Sequence, residues 1–340
     1  MKQLSKESER LRKIVQSFPN VTVTVLGDLV ADEFIYGEIT RVSREAPVLI
    51  LRHRECKVVP GGGANAVMNL ADLGVNVLPV GIVGDDEAGR LLIQAFKSKK
   101  VATSGILKLK TFTTTTKTRI LAGQTHSARQ QVVRVDREPE PLHENHPALL
   151  ELISSAREYA RASDGFLISD YGYGSATPRL LTFIRSNGSL DELPITLDSR
   201  FRMLEYTGLT AATPNEPEVE AALGVKIGND HEKLYSAGAQ LMKQMKLESL
   251  VITRGSDGMV AFQKKHKPVE IPIHGTDEVA DVTGAGDTVI ATFTAALSAG
   301  ADTEAAARLA NFAGGIVVMK RGTATVSAQE LIHAIEHAEH

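Results

Sequence analysis

The chain has 340 residues, of which 43% are hydrophobic and 23% charged, a composition typical of a globular enzyme with a sizeable core. Its formal net charge of -3 argues against a nucleic-acid partner, because proteins that bind phosphate backbones concentrate excess lysine and arginine. No stretch reads as a secretion signal or a membrane span, so we expect no membrane partner and a cytoplasmic location.

The predicted elements alternate along the chain. After an amphipathic opening helix, residues 21–28 predict a strand, and short apolar runs then alternate with helical patterns. This alternation indicates right-handed βαβ crossovers and a mainly parallel sheet in an α/β fold. Ligands of such sheets bind beyond the carboxyl ends of the strands. The predicted helices cover residues 86–99, 147–162, 178–186, 230–246, 286–299 and 303–319.

Two segments, at about 34–59 and 111–136, interrupt this alternation with strand-like patterns that carry many polar residues. A two-sided lid fits such strands better than a core sheet does. We therefore predict a single domain over residues 1–340 with a small β-flap built from these segments. The alternating strands also suggest a homodimer that forms through the flap.

The segment Asp281–Asp287 carries the main chemical signal. Gly284, Ala285 and Gly286 directly precede an apolar helical run, so the backbone can approach a ligand and free N–H groups attract negative charge. Asp287, in the first helical turn, would accept a proton from an attacking hydroxyl. This arrangement favours phosphoryl transfer, which depends on positioning and charge stabilisation. The alternative is a tight turn in which Asp287 only caps the helix.

A second signal follows another predicted strand. Asn215 and Glu218 are three residues apart, so on a first helical turn they share a face and would hold a hydrated Mg²⁺ beside phosphates. The alternative is a helix start with Asn215 as its cap and Glu218 in the first turn.

The glycine-rich segment Gly61–Ala66 has two interpretations. Its G-x-G-x-x-A pattern, with Asp85 further on, matches a dinucleotide fingerprint and makes an NAD-dependent dehydrogenase the main alternative from another reaction class. The run before it is polar and ends at Pro60, which instead favours a loop that approaches a polyol. The predicted polyol contacts are Gly62, Gly63 and Asn65.

Further candidates lie near the first strand and in the flap. Asp28 is the preferred acceptor for sugar hydroxyls, whereas Asp32 is interpreted as a turn-forming or solvated acid. Arg119 and Arg134, on the flap, would meet an anionic group of a substrate, although a solvated strand face explains them almost as well.

Taken in order, Gly61–Asn65, the N-x-x-E of Asn215–Glu218 and the D-x-x-G-A-G-D of Asp281–Asp287 resemble the ribokinase/PfkB carbohydrate kinases over nearly the whole chain. The resemblance implies a ribokinase-like three-layer fold and a sugar kinase that uses ATP and Mg²⁺, with Asp287 as general base. It places Asp281 near a site for a monovalent cation such as K⁺. The residues it places near the nucleotide are Asn215, Glu218, Thr253, Gly255, Gly258 and Asn311.

Within that family, segments such as RQQVVRVD, LISDYGYG and the closing GTATVS are most similar to heptose 7-phosphate kinases. The resemblance implies phosphorylation of D-glycero-D-manno-heptose 7-phosphate at its anomeric hydroxyl, to the 1,7-bisphosphate, with Asp170 among the substrate contacts. The chain departs from that pattern at Tyr173 and Arg200, where lysines are usual, so another sugar, sugar phosphate or nucleoside stays an alternative. A sugar-binding protein with an inactive kinase fold is a third possibility, which the intact Asp287 argues against. The chain ends after the kinase pattern, so we expect no nucleotidyltransferase domain.

Overall fold

The structure is a computed structural model that describes residues 5–123, 130–140, 142, 145–275, 280–320 and 322–338. Residues 124–129 of the predicted flap lie outside the described residues. Among the described residues, no helix is both long enough and apolar enough to cross a membrane.

Ten α-helices and thirteen strands alternate over the described residues. The helices are α1 (Lys6–Ser17), α2 (Gly63–Asp72), α3 (Glu87–Ser98), α4 (Pro147–Ala160), α5 (Pro178–Arg185), α6 (Glu216–Leu223), α7 (His231–Met245), α8 (Ala285–Ser298), α9 (Thr303–Val318) and α10 (Ala328–His337). The strands are β1 (Thr22–Gly27), β2 (Leu29–Val42), β3 (Leu49–Gly62), β4 (Asn76–Gly84), β5 (Ile106–Leu109), β6 (Thr116–Gly123), β7 (Gln130–Arg137), β8 (Gly165–Asp170), β9 (Ile195–Ser199), β10 (Ala211–Ala212), β11 (Ser249–Thr253), β12 (Met259–Gln263) and β13 (Val269–Ile271). The predicted opening helix is present as α1, and the six other helices predicted with bounds are present at α3, α4, α5, α7, α8 and α9.

The main sheet has nine strands in the order β13-β12-β11-β10-β9-β8-β1-β4-β5. Every neighbouring pair is parallel except the two that involve β12, which runs antiparallel to β11 and to β13. The prediction of a mainly parallel sheet is confirmed. The carboxyl ends of the parallel strands therefore share one edge.

Side chains on alternate positions of each strand fill two separate apolar layers, because successive residues of a strand point to opposite faces. On β1, Val25 packs with the layer that contains α1, α2, α3, α8, α9 and α10, whereas Leu26 packs with the layer of α4, α5, α6 and α7. The same division holds on β11 for Val251 and Ile252. Helices thus cover both faces of the sheet, which makes a three-layer architecture.

A second sheet has four strands in the order β3-β2-β6-β7. It includes the described parts of both segments predicted to form a flap, and β7 is exposed along its whole length. Only Asp28 separates β1 from β2, and α2 begins directly after β3. The small sheet is therefore anchored at the carboxyl edge of the main sheet, where the candidate site lies.

Candidate active site

Helix α8 begins at this edge with Gly284 and Gly286, which differ in the space that surrounds them. Gly284 caps the helix in the left-handed region, with φ of 80°, and a Cβ there would lie 2.5 Å from Nδ2 of Asn65. A Cβ on Gly286 would meet no atom within 4 Å. The packing of the protein therefore requires Gly284 to be glycine, whereas Gly286 borders open space where a ligand can reach the start of the helix.

Asp287, in the first turn of α8, is 4% exposed and accepts two hydrogen bonds. Its Oδ2 accepts from Asn65 Nδ2 at 2.9 Å, and its Oδ1 accepts from the hydroxyl of Tyr171 at 2.8 Å. Burial raises the pKa of Asp287 to about 7, although both hydrogen bonds oppose the rise. The carboxyl group is therefore poised to exchange a proton near neutral pH.

Asn65 orients Asp287 from the neighbouring helix α2. Its amide group donates to Asp287 and to the Gly284 carbonyl, the latter at 3.3 Å, and its Oδ1 accepts from Asn69 Nδ2 at 3.1 Å. The hydroxyl of Thr288 donates to Asn69 Oδ1 at 3.0 Å and closes this link between α2 and α8. Asn65 was predicted to contact a polyol. In the structure its amide hydrogens are bound to groups of α8, and the contact with a polyol stays a prediction.

Asp28 holds the loop that carries Tyr171. Its carboxylate accepts from the backbone N–H groups of Tyr171 at 2.9 Å, Tyr173 at 3.0 Å and Ser175 at 2.8 Å. Burial raises the pKa of Asp28 to about 6. With 1% exposure and three backbone donors, Asp28 positions this loop, and its contact with sugar hydroxyls stays a prediction.

Asp170 is also engaged by the protein. Its carboxylate accepts two hydrogen bonds from Arg202, at 2.6 and 3.2 Å, one from the Tyr206 hydroxyl at 2.9 Å, and one from the Gly172 N–H at 2.9 Å. These bonds fix the end of β8 against the segment after β9. The contact of Asp170 with substrate, which the resemblance implies, stays a prediction.

The glycines of the predicted polyol loop make room for acidic residues of the protein. A Cβ on Gly61 would lie 2.4 Å from Asp32 Oδ2, and one on Gly63 would lie 2.9 Å from the Asp28 carbonyl oxygen. Gly62, between them, has φ of 53° and caps α2. The strand before them, β3, is antiparallel to β2 and belongs to the small sheet. A dinucleotide fingerprint needs a βαβ unit, so the structure does not support the dehydrogenase alternative.

One face of the small sheet lies over the site. Asp32, Lys117 and Asp136 are direct neighbours on adjacent strands, and direct neighbours share a face. Asp32 is 5% exposed and accepts from Arg119, so the interpretation of Asp32 as a solvated acid is wrong. Asp32 also raises the pKa of Asp287, whereas Lys117 lowers it. The acidic and basic groups of this face are therefore within electrostatic reach of the buried carboxylate.

Arg119 and Arg134, the predicted contacts for an anion, are both paired within the small sheet. Arg119 donates to Asp32, and Arg134 donates to both oxygens of Asp136, through Nε at 2.8 Å and Nη2 at 2.5 Å. An anionic substrate would have to share these arginines with acidic neighbours.

Asn215 and Glu218 form a capping box at the start of α6. Asn215 Oδ1 accepts from the Glu218 N–H at 2.8 Å, and Glu218 Oε2 accepts from the Asn215 N–H at 2.9 Å. Burial raises the pKa of Glu218. The pKa of nearby Asp198 is also raised, by burial and then by the charges of Asp287 and Glu218. This excess of negative charge fits a hydrated Mg²⁺, which keeps several of its waters.

Direct coordination of a metal ion has no support in the described part of the chain, where no three acidic, histidine or cysteine side chains converge on one point. The prediction that Asn215 and Glu218 hold Mg²⁺ through water stays a prediction. Asp198 adds a second carboxylate beside Glu218, and no motif of the sequence singled it out for a metal.

The predicted nucleotide residues lie along the carboxyl edge at β11 and beyond. Thr253 ends β11 and bridges to Asn215, and Gly255 and Gly258 shape the turn into β12. A Cβ on Gly258 would lie 2.2 Å from the Ile271 carbonyl oxygen, so packing explains this glycine. Another predicted nucleotide residue, Asn311, donates to the Pro272 carbonyl at 2.8 Å. Asp281, which was predicted to lie near a monovalent cation, accepts from the N–H groups of Thr283 and Gly322 at 2.9 and 3.0 Å.

Two residues at the centre of the site were not predicted. Tyr171 binds Asp287, and Lys117 lies over the ring of Tyr171, 5.6 Å from its centroid. The segment LISDYGYG, which resembles heptose 7-phosphate kinases, was the available signal for Tyr171. Lys117 was marked only by its place on a flap strand, two residues before Arg119.

A family model and two curated proteins match most of the chain. The model of the pfkB family carbohydrate kinases matches residues 23–330. Among curated proteins, the bifunctional protein HldE of Pelobacter propionicus is 38% identical over 333 residues, which covers 95% of this chain and 66% of that protein. HldE of Geobacter sulfurreducens is 37% identical over 324 residues, covering 94% and 64%. The chain therefore spans about two thirds of the length of the curated relatives it matches.

Solved structures show the fold. Ribokinase of Arabidopsis thaliana, complexed with ribose and ATP, superposes with a TM-score of 0.72 at 19% identity, covering 94% of this chain and 99% of that one. Phosphofructokinase-2 of Escherichia coli, in complex with potassium, gives 0.72 at 16% identity, covering 93% and 98%. The predicted ribokinase-like α/β fold is confirmed.

Proposed function

We propose that this chain, which belongs to the pfkB family of carbohydrate kinases, transfers the γ-phosphate of ATP to the anomeric hydroxyl of D-glycero-D-manno-heptose 7-phosphate. The observation that carries the proposal of a phosphoryl-transfer centre is the buried Asp287 at the start of α8. It lies between two hydrogen-bond donors and beside the open space at Gly286.

In the proposed reaction, ionised Asp287 accepts the proton of the acceptor hydroxyl. The hydroxyl oxygen bonds to the γ-phosphorus, the bond from that phosphorus to the bridging oxygen breaks, and ADP leaves. The N–H groups at the start of α8 have no partners within the helix, so they stabilise the negative charge of the transferring group. Asn65 and Tyr171 keep the base in place, and its pKa of about 7 suits proton transfer at neutral pH.

The polar and acidic groups at the same edge are proposed to hold metal ions. Asn215, Glu218 and Asp198 would hold Mg²⁺ through water, and the ion would neutralise charge on the nucleotide phosphates. We further propose a monovalent cation near Asp281, as the resemblance implies. The solved complex of phosphofructokinase-2 with potassium supports testing K⁺ first.

The proposed acceptor rests on segments that resemble heptose 7-phosphate kinases. We also propose a cytoplasmic location. A homodimer through the small sheet is also proposed. Its support is a set of exposed apolar side chains in and beside the small sheet, which are Val42, Val48, Leu49, Val132, Val133 and Val135.

A screen for ATP consumption tests the function. The purified chain is incubated with ATP and Mg²⁺ against a panel of sugars, sugar phosphates and nucleosides that includes heptose 7-phosphate, and ³¹P NMR identifies the product. The proposal predicts that heptose 7-phosphate is the best acceptor and that its product carries a new anomeric phosphate. Faster turnover of another acceptor would overturn the proposed substrate. No turnover with any acceptor would favour a binding protein with an inactive kinase fold.

A further inference from the structure

A buried series of hydrogen bonds leads from the hydroxyl of Thr288 to the carboxylate of Asp287. The Thr288 hydroxyl donates to Asn69 Oδ1 at 3.0 Å, and Asn69 Nδ2 donates to Asn65 Oδ1 at 3.1 Å. Asn65 Nδ2 then donates to Asp287 Oδ2 at 2.9 Å. The three donor residues, which form what is here named the polar chain, are all buried. Water does not reach them, so each polar atom depends on its partners in the protein.

Two backbone carbonyl groups fix the direction of the polar chain. A carbonyl oxygen can only accept, so a side chain that faces it must present a donor. The Asn65 carbonyl accepts from Asn69 Nδ2 at 3.0 Å, which turns Asn69 Oδ1 toward Thr288. The Gly284 carbonyl accepts from Asn65 Nδ2 at 3.3 Å and from the Thr288 hydroxyl at 3.2 Å. The polar chain therefore has one favourable direction, with its last donor at the base.

Asn69 occupies a position where packing alone favours an apolar residue. Its neighbours Val67 and Leu70 on α2 are fully buried in the apolar layer. A buried amide is costly unless its partners are all present, whereas an apolar side chain of similar volume has no such requirement. Asn69 donates both of its amide hydrogens to Asn65. The amide of Asn69 therefore serves the residue that binds the base.

We propose that Asn69 and Thr288 are positioning residues for phosphoryl transfer, which hold the Asn65 amide with its donor toward the base. Asp287 accepts from Asn65 and Tyr171, so the side chains of the two positioning residues act on it through Asn65. Hydrogen bonds in a series polarise one another, so each donation strengthens the next donor. The inference rests on the proposed kinase function and extends it to residues that contact no reacting atom.

Other charged and titratable groups reach Asp287 from other elements. Burial raises the pKa of Asp287, the hydrogen bond from Tyr171 lowers it, Asp32 on β2 raises it and Lys117 on β6 lowers it. Asp198 on β9 is also near, because burial and then the charge of Asp287 raise its pKa. Over the described residues, none of these other groups is hydrogen-bonded to the polar chain. A substitution in the polar chain therefore leaves their interactions with the base in place.

The test compares Asn69→Leu, Thr288→Val and the double variant with the wild type. Thr288→Ser keeps the hydroxyl and serves as the rescue. Thr292→Val is the matched control, because the Thr292 hydroxyl is equally buried on α8 but donates to the Thr288 carbonyl at 2.9 Å, outside the polar chain.

Two measurements follow the base in each variant. The first is the pH profile of kcat/KM with the best acceptor of the screen. The second is the titration of the Asp287 carboxyl in the ligand-free protein, read by ¹³C NMR of labelled aspartate, with Asp287→Asn to assign the signal. Thermal unfolding checks the fold of each variant.

Loss of Asn69 should move the acid limb of kcat/KM to higher pH, because a weaker donor stabilises the ionised carboxylate less. The expected shift is about 0.5 to 1 pH unit, which corresponds to one hydrogen bond between neutral groups. From a wild-type pKa of about 7, kcat/KM at pH 7 should fall about 2- to 5-fold and recover at alkaline pH. The NMR titration of Asp287 should shift by the same amount.

Thr288→Val should shift the limb in the same direction by less. The double variant should shift it no further than Asn69→Leu, because both residues act through Asn65. Thr288→Ser and Thr292→Val should keep the wild-type limb.

An even loss of activity at every pH in Asn69→Leu, or an equal shift in Thr292→Val, would overturn the proposal and assign the polar chain to packing. Additive shifts in the double variant would refute a shared route through Asn65. If Asn69→Leu does not fold, the comparison of Thr288→Val with Thr288→Ser decides, and identical limbs would refute the proposal. If the wild type phosphorylates no acceptor, the kinase function fails, and NMR then decides. The same Asp287 titration in the wild type and the variants would refute the positioning role.

Discussion

The hydrogen bond from Tyr171 to Asp287 should set the pH at which the enzyme becomes active. Tyr171→Phe keeps the ring under Lys117 and removes only the hydroxyl, which donates to Asp287 Oδ1 at 2.8 Å. This bond favours the ionised carboxylate, so its loss raises the pKa of Asp287 above the wild-type value of about 7. A hydrogen bond to a charged group contributes about 1.5 to 3 kcal/mol, which corresponds to about one to two pKa units.

Since the base must be ionised, kcat/KM of the wild type should fall as the pH drops through about 7. In Tyr171→Phe this acid limb should move to about pH 8 to 9, so kcat/KM at pH 7 falls about 5- to 50-fold and recovers at alkaline pH. The assay is a pH profile of kcat/KM with ADP release as the readout, supported by thermal unfolding of each variant.

Tyr173→Phe is the matched control, because the Tyr173 hydroxyl donates to Glu138 at 2.9 Å and not to Asp287. Its acid limb should stay at the wild-type position. The reasoning would be refuted if Tyr171→Phe lost activity evenly at every pH, or if both variants shifted the limb alike.

Three further predictions concern the helix start, the cofactor and the assembly. Gly286→Ala should keep the stability or raise it by up to about 1 kcal/mol, because the new Cβ meets only open space. The same Cβ should reduce kcat/KM for ATP, because a ligand is proposed to occupy that space. Gly284→Ala should lower Tm, since its Cβ would approach Asn65. Both variants are checked by their denaturation midpoints and by kinetics at varied ATP concentration. Full activity of Gly286→Ala would show that no ligand occupies the space beside Gly286. In thermal-shift assays, ATP with Mg²⁺ should raise the Tm and NAD(H) should not. The reverse result would support the alternative that the chain is a dehydrogenase. Light scattering after size exclusion should give the mass of a dimer, which Val133→Lys on the exposed strand β7 should reduce; a wild-type monomer would contradict the flap interface.

Local patterns made the fold predictable. The alternation of apolar runs with helical periodicity identified six helices and a mainly parallel sheet, because each element buries one face with its own period. Asp281–Asp287 was likewise visible, since the glycines and the base occupy a single turn of chain. The sequence could thus predict where phosphoryl transfer is proposed to occur.

The partners of Asp287 were harder to predict, because they come from distant parts of the chain. Asn65 is 222 residues away in sequence and Tyr171 is 116 residues away. Side-chain type alone suggested a sugar contact for Asn65, and only the packing of α2 against α8 shows its role. The burial of Asp28 and Asp32 was hard to predict for the same reason. Their burial depends on the loop after β8 and on the pairing of β2 with β6.

The most direct test of the central claim is the turnover of Asp287→Asn. The amide has nearly the same shape as the carboxylate but cannot accept the proton at neutral pH, so kcat with the best acceptor should fall about 100- to 10,000-fold. The Tm and the affinity for ATP with Mg²⁺ should stay close to the wild-type values. A variant that folds, binds ATP and retains near-normal kcat would show that Asp287 is not the base and that this segment does not perform the proposed chemistry.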